Sequence, residues 1–143
     1  MATAGLLDTD ILIHWAALRA PELPELAAIS TVTVAELAAG VHAARDPLER
    51  AARLELLQRA ESEFAPLPFD LAAARAYGRV TAAVRGVGRS PRSRVADQMI
   101  AAIAVSRGLP LYTTDPTDYS GLDTILELVA VARPQPGGEA TRT

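Results

Sequence analysis

Cysteine is absent from this 143-residue chain, which removes disulfides and thiolate chemistry and suits a reducing, cytoplasmic setting. Lysine is absent as well. All 14 basic residues are arginine, so every mechanism that requires a lysine is excluded. Aromatic residues make up 4% of the chain, too few for an extended base-stacking platform. The apolar run 11–18 is far too short to span a bilayer, and the N-terminus lacks the charged start and long apolar stretch of a signal peptide. No internal repeat is evident. The net charge of −3 offers no global attraction to nucleic acid, so such a partner would have to be held by a local basic patch or through metal ions.

What is present is a chain that is 50% hydrophobic, which argues against disorder. Its length suits one domain, able to bury roughly 68–70% of its unfolded surface without staples. The expected domain is 1–133, followed by a polar tail over 134–143. Gly5–Leu7 is a short buried-strand candidate, and a helix is expected from Asp8 to about Leu18. Pro21 and Pro24 punctuate a loop, and a second strand around Ile29–Thr31 runs into the helix "TVAELAAGVHAA". Leu48, Ala51, Ala52, Leu56, Leu57 and Ala60 form an apolar stripe at helical spacing over 47–62. "FAPLPF" carries two prolines and is at best a short strand or edge. Asp70 suits the N-cap of a helix to about Arg85, with Ala73, Tyr77, Val80 and Val84 facing inward. A Gly/Pro/Ser loop with four arginines precedes the helix "VADQMIAAIAVSRG", which Gly108 and Pro110 stop. "LPLYTT" and "TILELVAV" read as the last strands. Strands alternating with helices predict a three-layer α/β/α sandwich around a mainly parallel sheet.

Acidic residues recur at the ends of these strands. Asp8 follows the first strand, Glu36 opens the helix after the second, Asp97 begins the helix of 97–107, and Asp115 follows "LPLYTT" with Asp118 one turn on. In an open α/β sheet the carboxyl ends of the strands form the crevice where ligands bind. Each acid has an ordinary explanation when taken alone. Thr33-x-x-Glu36 fits a capping box, Asp8 and Asp97 suit the first turn of a helix, and "TTDPTD" is common turn chemistry. Together they are harder to explain that way, because two carboxylates 4 Å apart repel by about 4 kcal/mol at an effective dielectric near 20. A hard divalent cation such as Mg²⁺ or Mn²⁺ would neutralise such an oxygen-only cluster. His14 and His42 lie outside the acidic stretches and read as ordinary histidines, which leaves no zinc site.

"LLDTDILI", "TVTVAELAAGV" and "VADQMIAAIAVSRGLPLYTTDPTDY", in this order and spacing, resemble the PIN-domain family, and within it the VapC-type toxins of toxin–antitoxin pairs. The resemblance covers residues 5–131. It implies a metal-dependent endoribonuclease whose metal-binding and catalytic acids fall on Asp8, Glu36, Asp97 and Asp115, with Asp118 accessory and Thr114 in a supporting polar position. Two departures stand out: Asp115 occupies a position where relatives often carry Asn, and Tyr119 replaces the usual Phe. Asp10 is not among the family's core acids and is left as a helix-turn or outlying residue.

By the same resemblance, Mg²⁺ or Mn²⁺ is the cofactor, RNA (a structured one such as tRNA) the substrate, a small VapB-type antitoxin the partner, and a homodimer the usual assembly. Arg85, Arg89, Arg92 and Arg94 would then serve as phosphate contacts beside the site, where otherwise they would line a solvated loop. The apolar stripe of 47–62 would border a groove for an antitoxin helix as well as packing the core. Other readings stay open at this point. Asp8 and Asp10 also fit the Asp-x-Asp start of a haloacid-dehalogenase-like phosphatase, although that chemistry, like that of a receiver domain, needs the missing lysine. A non-catalytic PIN-like binding module is the remaining alternative.

Overall fold

The computed structural model describes residues 2–133, so the tail expected over 134–143 lies outside the described residues. Four strands form a wholly parallel sheet: β1 (Ala4–Leu7), β2 (Leu26–Ala28), β3 (Leu111–Thr113) and β4 (Leu128–Ala130), in the order β2-β1-β3-β4. Around them lie α1 (Thr9–Ile13), α2 (Thr31–His42), α3 (Pro47–Glu63), α4 (Leu71–Gly86) and α5 (Val95–Arg107).

Strand side chains alternate between the two faces of a sheet, and this splits the core in two. Leu6 and Leu111, paired in register, join Ala73, Val80 and Val84 of α4 and Ile100 and Ile103 of α5 on one face. Leu7 and Tyr112, the next pair, join Ile11 of α1, Leu37 of α2 and Ala60 of α3 on the other. Helices therefore cover both faces, as the alternation of elements predicts, and a parallel sheet buried on both sides needs this cover. Gly5 is required beneath Tyr112, because a Cβ there would overlap the tyrosine ring.

Three local expectations are corrected. The first helix ends at Ile13, with a 3₁₀ turn over Trp15–Ala17, and does not run on to Leu18. Leu26 pairs with Ala4 at the start of β1, so residues 14–25 must double back along the whole strand. The second strand is Leu26–Ala28, upstream of Ile29–Thr31, because Ser30 is taken as the N-cap of α2 and accepts from Thr33 N at 3.0 Å. The stripe over 47–62 is only partly core: Ala60 is buried and Leu56 and Leu57 half-buried, whereas Leu48 is 82% exposed. Within "FAPLPF", only Leu67 bridges to the sheet side, through Ser30.

The strand order fixes where a ligand can enter. From β1 the chain crosses to β2 on one side, and later to β3 on the other. The carboxyl ends of β1 and β3 therefore border the topological switch point, the usual crevice of an open α/β sheet.

Candidate metal centre

Asp8 stands at the end of β1 and is 3% exposed. One carboxylate oxygen accepts from Thr9 N at 2.8 Å, capping α1, and the other accepts from Thr113 Oγ1 on β3 at 2.8 Å. Capping thus occupies only half of this group. The hydroxyl that holds Asp8 belongs to Thr113, while Thr114 Oγ1 is buried without a partner.

Glu36 is not part of a capping box, because Ser30 caps α2 and leaves the glutamate free to face the crevice. Its Oε1 accepts from Thr9 Oγ1 at 2.7 Å. Thr9 has a single hydroxyl proton, so its 2.9 Å contact with Thr33 must be donated by Thr33, to which Ser30 donates over a longer 3.4 Å. A directed chain of hydroxyls, Ser30 to Thr33 to Thr9, ends on Glu36.

Asp97 enters from the first turn of α5. Asp115 follows β3, and Asp118 lies in the 3₁₀ turn Pro116–Tyr119. Asp10, in the first turn of α1, is the residue that sequence reasoning set aside. Its carboxylate gathers with those of Asp115 and Asp118, with oxygens within 4.8 Å of one another. A cavity of about 360 Å³ is lined by Asp8, Thr9, Asp10, Glu36, Arg53 and Asp97. Through Ile13, Arg53 and Leu56 it adjoins a second, of about 340 Å³, walled by Leu12, Trp15, Ala60 and Phe64.

The charges in this crevice are uncomfortable. Burial, then the neighbouring Asp118 and Glu36, pushes Asp97 up to about 6. Burial, a hydrogen bond shared with Asp115 and the charge of Asp8 push Asp10 up to about 7. Asp8 is raised mainly by burial against the lowering effect of Thr113, and Glu36 mainly by burial against that of Thr9. Carboxylates crowded and desolvated in this way favour protons or a cation.

Arg53 lines the cavity but is paired with Glu49 and the carbonyl of Gly40, and the arginines that pair with the acids of the site lie at the rim. Arg94 pairs with Asp118 at 3.0 Å and with Asp97 at 3.4 Å, and Arg133 pairs with Asp115 at 3.1 Å. Arg94 does so from a left-handed backbone, φ 55° and ψ 47°, the only such non-glycine conformation among the described residues. Arg89 donates to the carbonyls of Asp118 and Ser120 and so braces the turn. Arg92 is exposed on the same loop, and Arg85, expected on that loop, is exposed in the last turn of α4.

The donor set fits a hard divalent cation, since all candidate ligands are oxygens and most are carboxylates held near one another. Two buried hydroxyls at this end of the sheet, Thr114 Oγ1 and Tyr119 OH, lack hydrogen-bond partners. Sequence reasoning missed Asp10, Thr9, Thr113, Tyr119, Arg53 and Arg133. A β-branched hydroxyl directly after or at the end of a strand is the one signal that could have pointed to Thr9 and Thr113.

Compared with known families, residues 6–120 match the PIN domain. The chain belongs to the PIN domain family. This PIN domain is 39% identical over 123 residues, 84% of its own length and 88% of the relative's, to Ribonuclease VapC5 of Mycobacterium tuberculosis. It is 34% identical over 97 residues, 68% of this chain and 72% of the other, to Ribonuclease VapC4 of the same organism. Among solved structures it matches VapBC-5 of M. tuberculosis, a member of the VapBC family of toxin–antitoxin systems. The TM-score is 0.80 and the identity 39%, covering 90% of this chain and 99% of that one. Membership in this family replaces the phosphatase reading of the Asp8 and Asp10 pair, and the receiver-domain reading with it. Among the described residues, no helix is long and apolar enough to cross a membrane.

Proposed function

We propose that this PIN domain is the toxin of a toxin–antitoxin pair, an endoribonuclease that cuts RNA with a bound Mg²⁺ or Mn²⁺ ion and so inhibits translation and growth in the cytoplasm. The observation that carries this reading is convergence: Asp8, Glu36 and Asp97 leave three separate elements and line one cavity. They do so in a chain 39% identical to a protein named Ribonuclease VapC5.

Asp8 and Asp97, with Asp115 or Asp118 from the facing turn, would hold the ion. When bound, it supplies positive charge that polarises a scissile phosphate and lowers the pKa of a water molecule. The remaining work falls to the chain. Thr9 fixes one oxygen of Glu36 and leaves the other to orient the attacking water and accept its proton. Thr113 and the Thr9 amide keep Asp8 from rotating. Arg92 and Arg94, exposed at the rim, are positioned to meet the RNA backbone, whereas Arg89 is committed to the turn it braces. The apolar cavity walled by Leu12, Trp15, Leu56 and Phe64 suits the apolar face of a VapB-type antitoxin helix, and it shares Ile13, Arg53 and Leu56 with the cavity that the acids line. A homodimer and a toxin–antitoxin hetero-oligomer are the proposed assemblies, and tRNA a proposed substrate.

The test is RNA cleavage by the purified protein. Mg²⁺ or Mn²⁺ should support internal cuts, excess chelator should stop them, and Asp8→Asn and Asp97→Asn should be inactive while retaining the fold by circular dichroism. Full activity of either variant, or activity in chelator, sinks the proposal. RNA left intact under every metal condition, with the antitoxin still bound, would identify a non-catalytic PIN module.

A further inference from the structure

Tyr119 closes the 3₁₀ turn after β3, is 2% exposed, and packs in the core cluster of α4 and α5. An apolar ring would fill that place without difficulty. The hydroxyl is the anomaly: it is fully buried, and it has no hydrogen bond. Buried polar groups are nearly always paired, so an orphan in a well-formed core points to a missing interaction. The charged groups around it are Asp8, Asp97 and Asp10, and Asp8 is near enough to feel the hydroxyl although no hydrogen bond of ordinary geometry joins the two.

Counting lone pairs shows where the bond belongs. An ionised carboxylate offers about four acceptor positions. In Asp8 one is used by Thr9 N and one by Thr113 Oγ1. The two that remain can serve one cation and one further donor. Of the other side-chain donors nearby, Thr9 Oγ1 is spent on Glu36 and Arg94 reaches Asp97 and Asp118, and the second unpaired hydroxyl, Thr114 Oγ1, is not among the groups that act on Asp8. Carboxylates that ligate metals are themselves hydrogen-bonded, and those supports orient the ligand.

We infer that Tyr119 is a positioning residue, whose hydroxyl donates to Asp8 once that carboxylate holds a divalent cation. The inference rests on the metal-dependent reading above. It makes Tyr119 a donor that is idle without the ion and engaged with it. Thr113 differs in being engaged in both states, and the two residues therefore respond differently to substitution.

The experiment compares the full-length wild type with Tyr119→Phe and Thr113→Val, measuring Mn²⁺ affinity by calorimetry and melting temperature with and without Mn²⁺. Tyr119→Phe should keep or raise the metal-free melting temperature, because it deletes an unpaired buried hydroxyl. It should weaken Mn²⁺ binding by roughly tenfold or more, the usual effect of removing such a support. Thr113→Val should lower both. In the wild type, Mg²⁺ should also bring out a slowly exchanging hydroxyl proton resonance that Tyr119→Phe lacks. Unchanged Mn²⁺ affinity in Tyr119→Phe would overturn the inference and leave the nuclease reading intact. So would a metal-free fold that is lost or equally weakened, which would make the hydroxyl structural. Failure of the wild type to bind Mn²⁺ at all would overturn the metal reading itself.

Discussion

On one wall of the crevice, formed by β1 and α2, Asp8 and Glu36 are held by hydroxyls and a backbone amide, with no cation among their hydrogen-bond partners. On the other, formed by α5 and the turn after β3, Asp97, Asp115 and Asp118 are held by Arg94 and Arg133. The first wall is nearly dry, with Asp8 at 3% and Thr33 at 0% exposure, and the second opens to solvent at its arginines. Hydrogen bonds from neutral hydroxyls fix geometry without cancelling charge, so the dry wall keeps its full demand for a cation. Ion pairs at a wet rim cancel charge and are screened by salt, so the open wall can exchange its arginines for another partner. One wall sets position, and the other adjusts charge.

The comparison breaks most severely at Asp8. Asp8→Asn should reduce RNA cleavage by at least 10²-fold in a gel assay, yet raise the melting temperature of the metal-free protein, because it removes a buried charge from a repelling group. A metal-free variant less stable than wild type would show that the dry wall is not under electrostatic load.

Thr9→Val cuts the hydroxyl chain while keeping the shape of the side chain. Glu36 loses its hydrogen bond and Thr33 its acceptor, at a cost of about 1–3 kcal/mol in chemical denaturation. Cleavage should fall roughly 10–100-fold, as it does when the support of a metal-site residue is removed. Wild-type activity in this variant would make Glu36 self-positioning.

A smaller effect comes from pH. Asp97 and Asp10 titrate in the folded protein at about 6 and about 7, above the ordinary 3.8, so the folded state binds protons more readily than the unfolded one. Stability of the metal-free protein should therefore rise as pH falls from 8 to 5, and saturating Mg²⁺ should flatten or reverse this slope. A melting temperature that drops on acidification through this window without metal would mean that the crowded carboxylates do not strain the fold.

The smallest effect is expected at the open wall. Arg94→Gln should lower the Mg²⁺ concentration needed for half-maximal cleavage by a few-fold at low salt. The difference should vanish near 1 M salt, where the Debye length shrinks to about 3 Å. A salt-independent difference would mean that Arg94 acts through the shape of its loop.

The two walls also differ in how much of them was legible beforehand. Asp8 and Asp97 could be read because one ends a strand and the other lies in the first turn of a helix, and Glu36 because it lies in the helix that follows the second strand; such places show in a linear pattern. The layered fold was legible for the same reason, as were α4 and α5, whose caps at Asp70 and Gly108 lie where expected. The extent of α1 and the position of β2 were not. An alanine-rich run favours helix locally, but pairing with β1 forces the chain to turn at His14. Asp10 looked redundant beside Asp8 because its partners, Asp115 and Asp118, lie more than a hundred positions away in the chain. Arg89 looked like a substrate contact because nothing in its neighbourhood of sequence reveals the carbonyls it braces.

The hydrogen bond from Thr113 to Asp8 joins residues 105 positions apart, between strands that meet only when the sheet closes. Contacts of such long range form late in folding, after most of the loop-closure entropy has been spent. A chain emerging from the ribosome therefore carries Asp8, Glu36 and Asp97 as scattered acids for most of its synthesis. The crevice assembles only when β3 slots in beside β1, so the acids meet only after the chain has been made as far as Thr113.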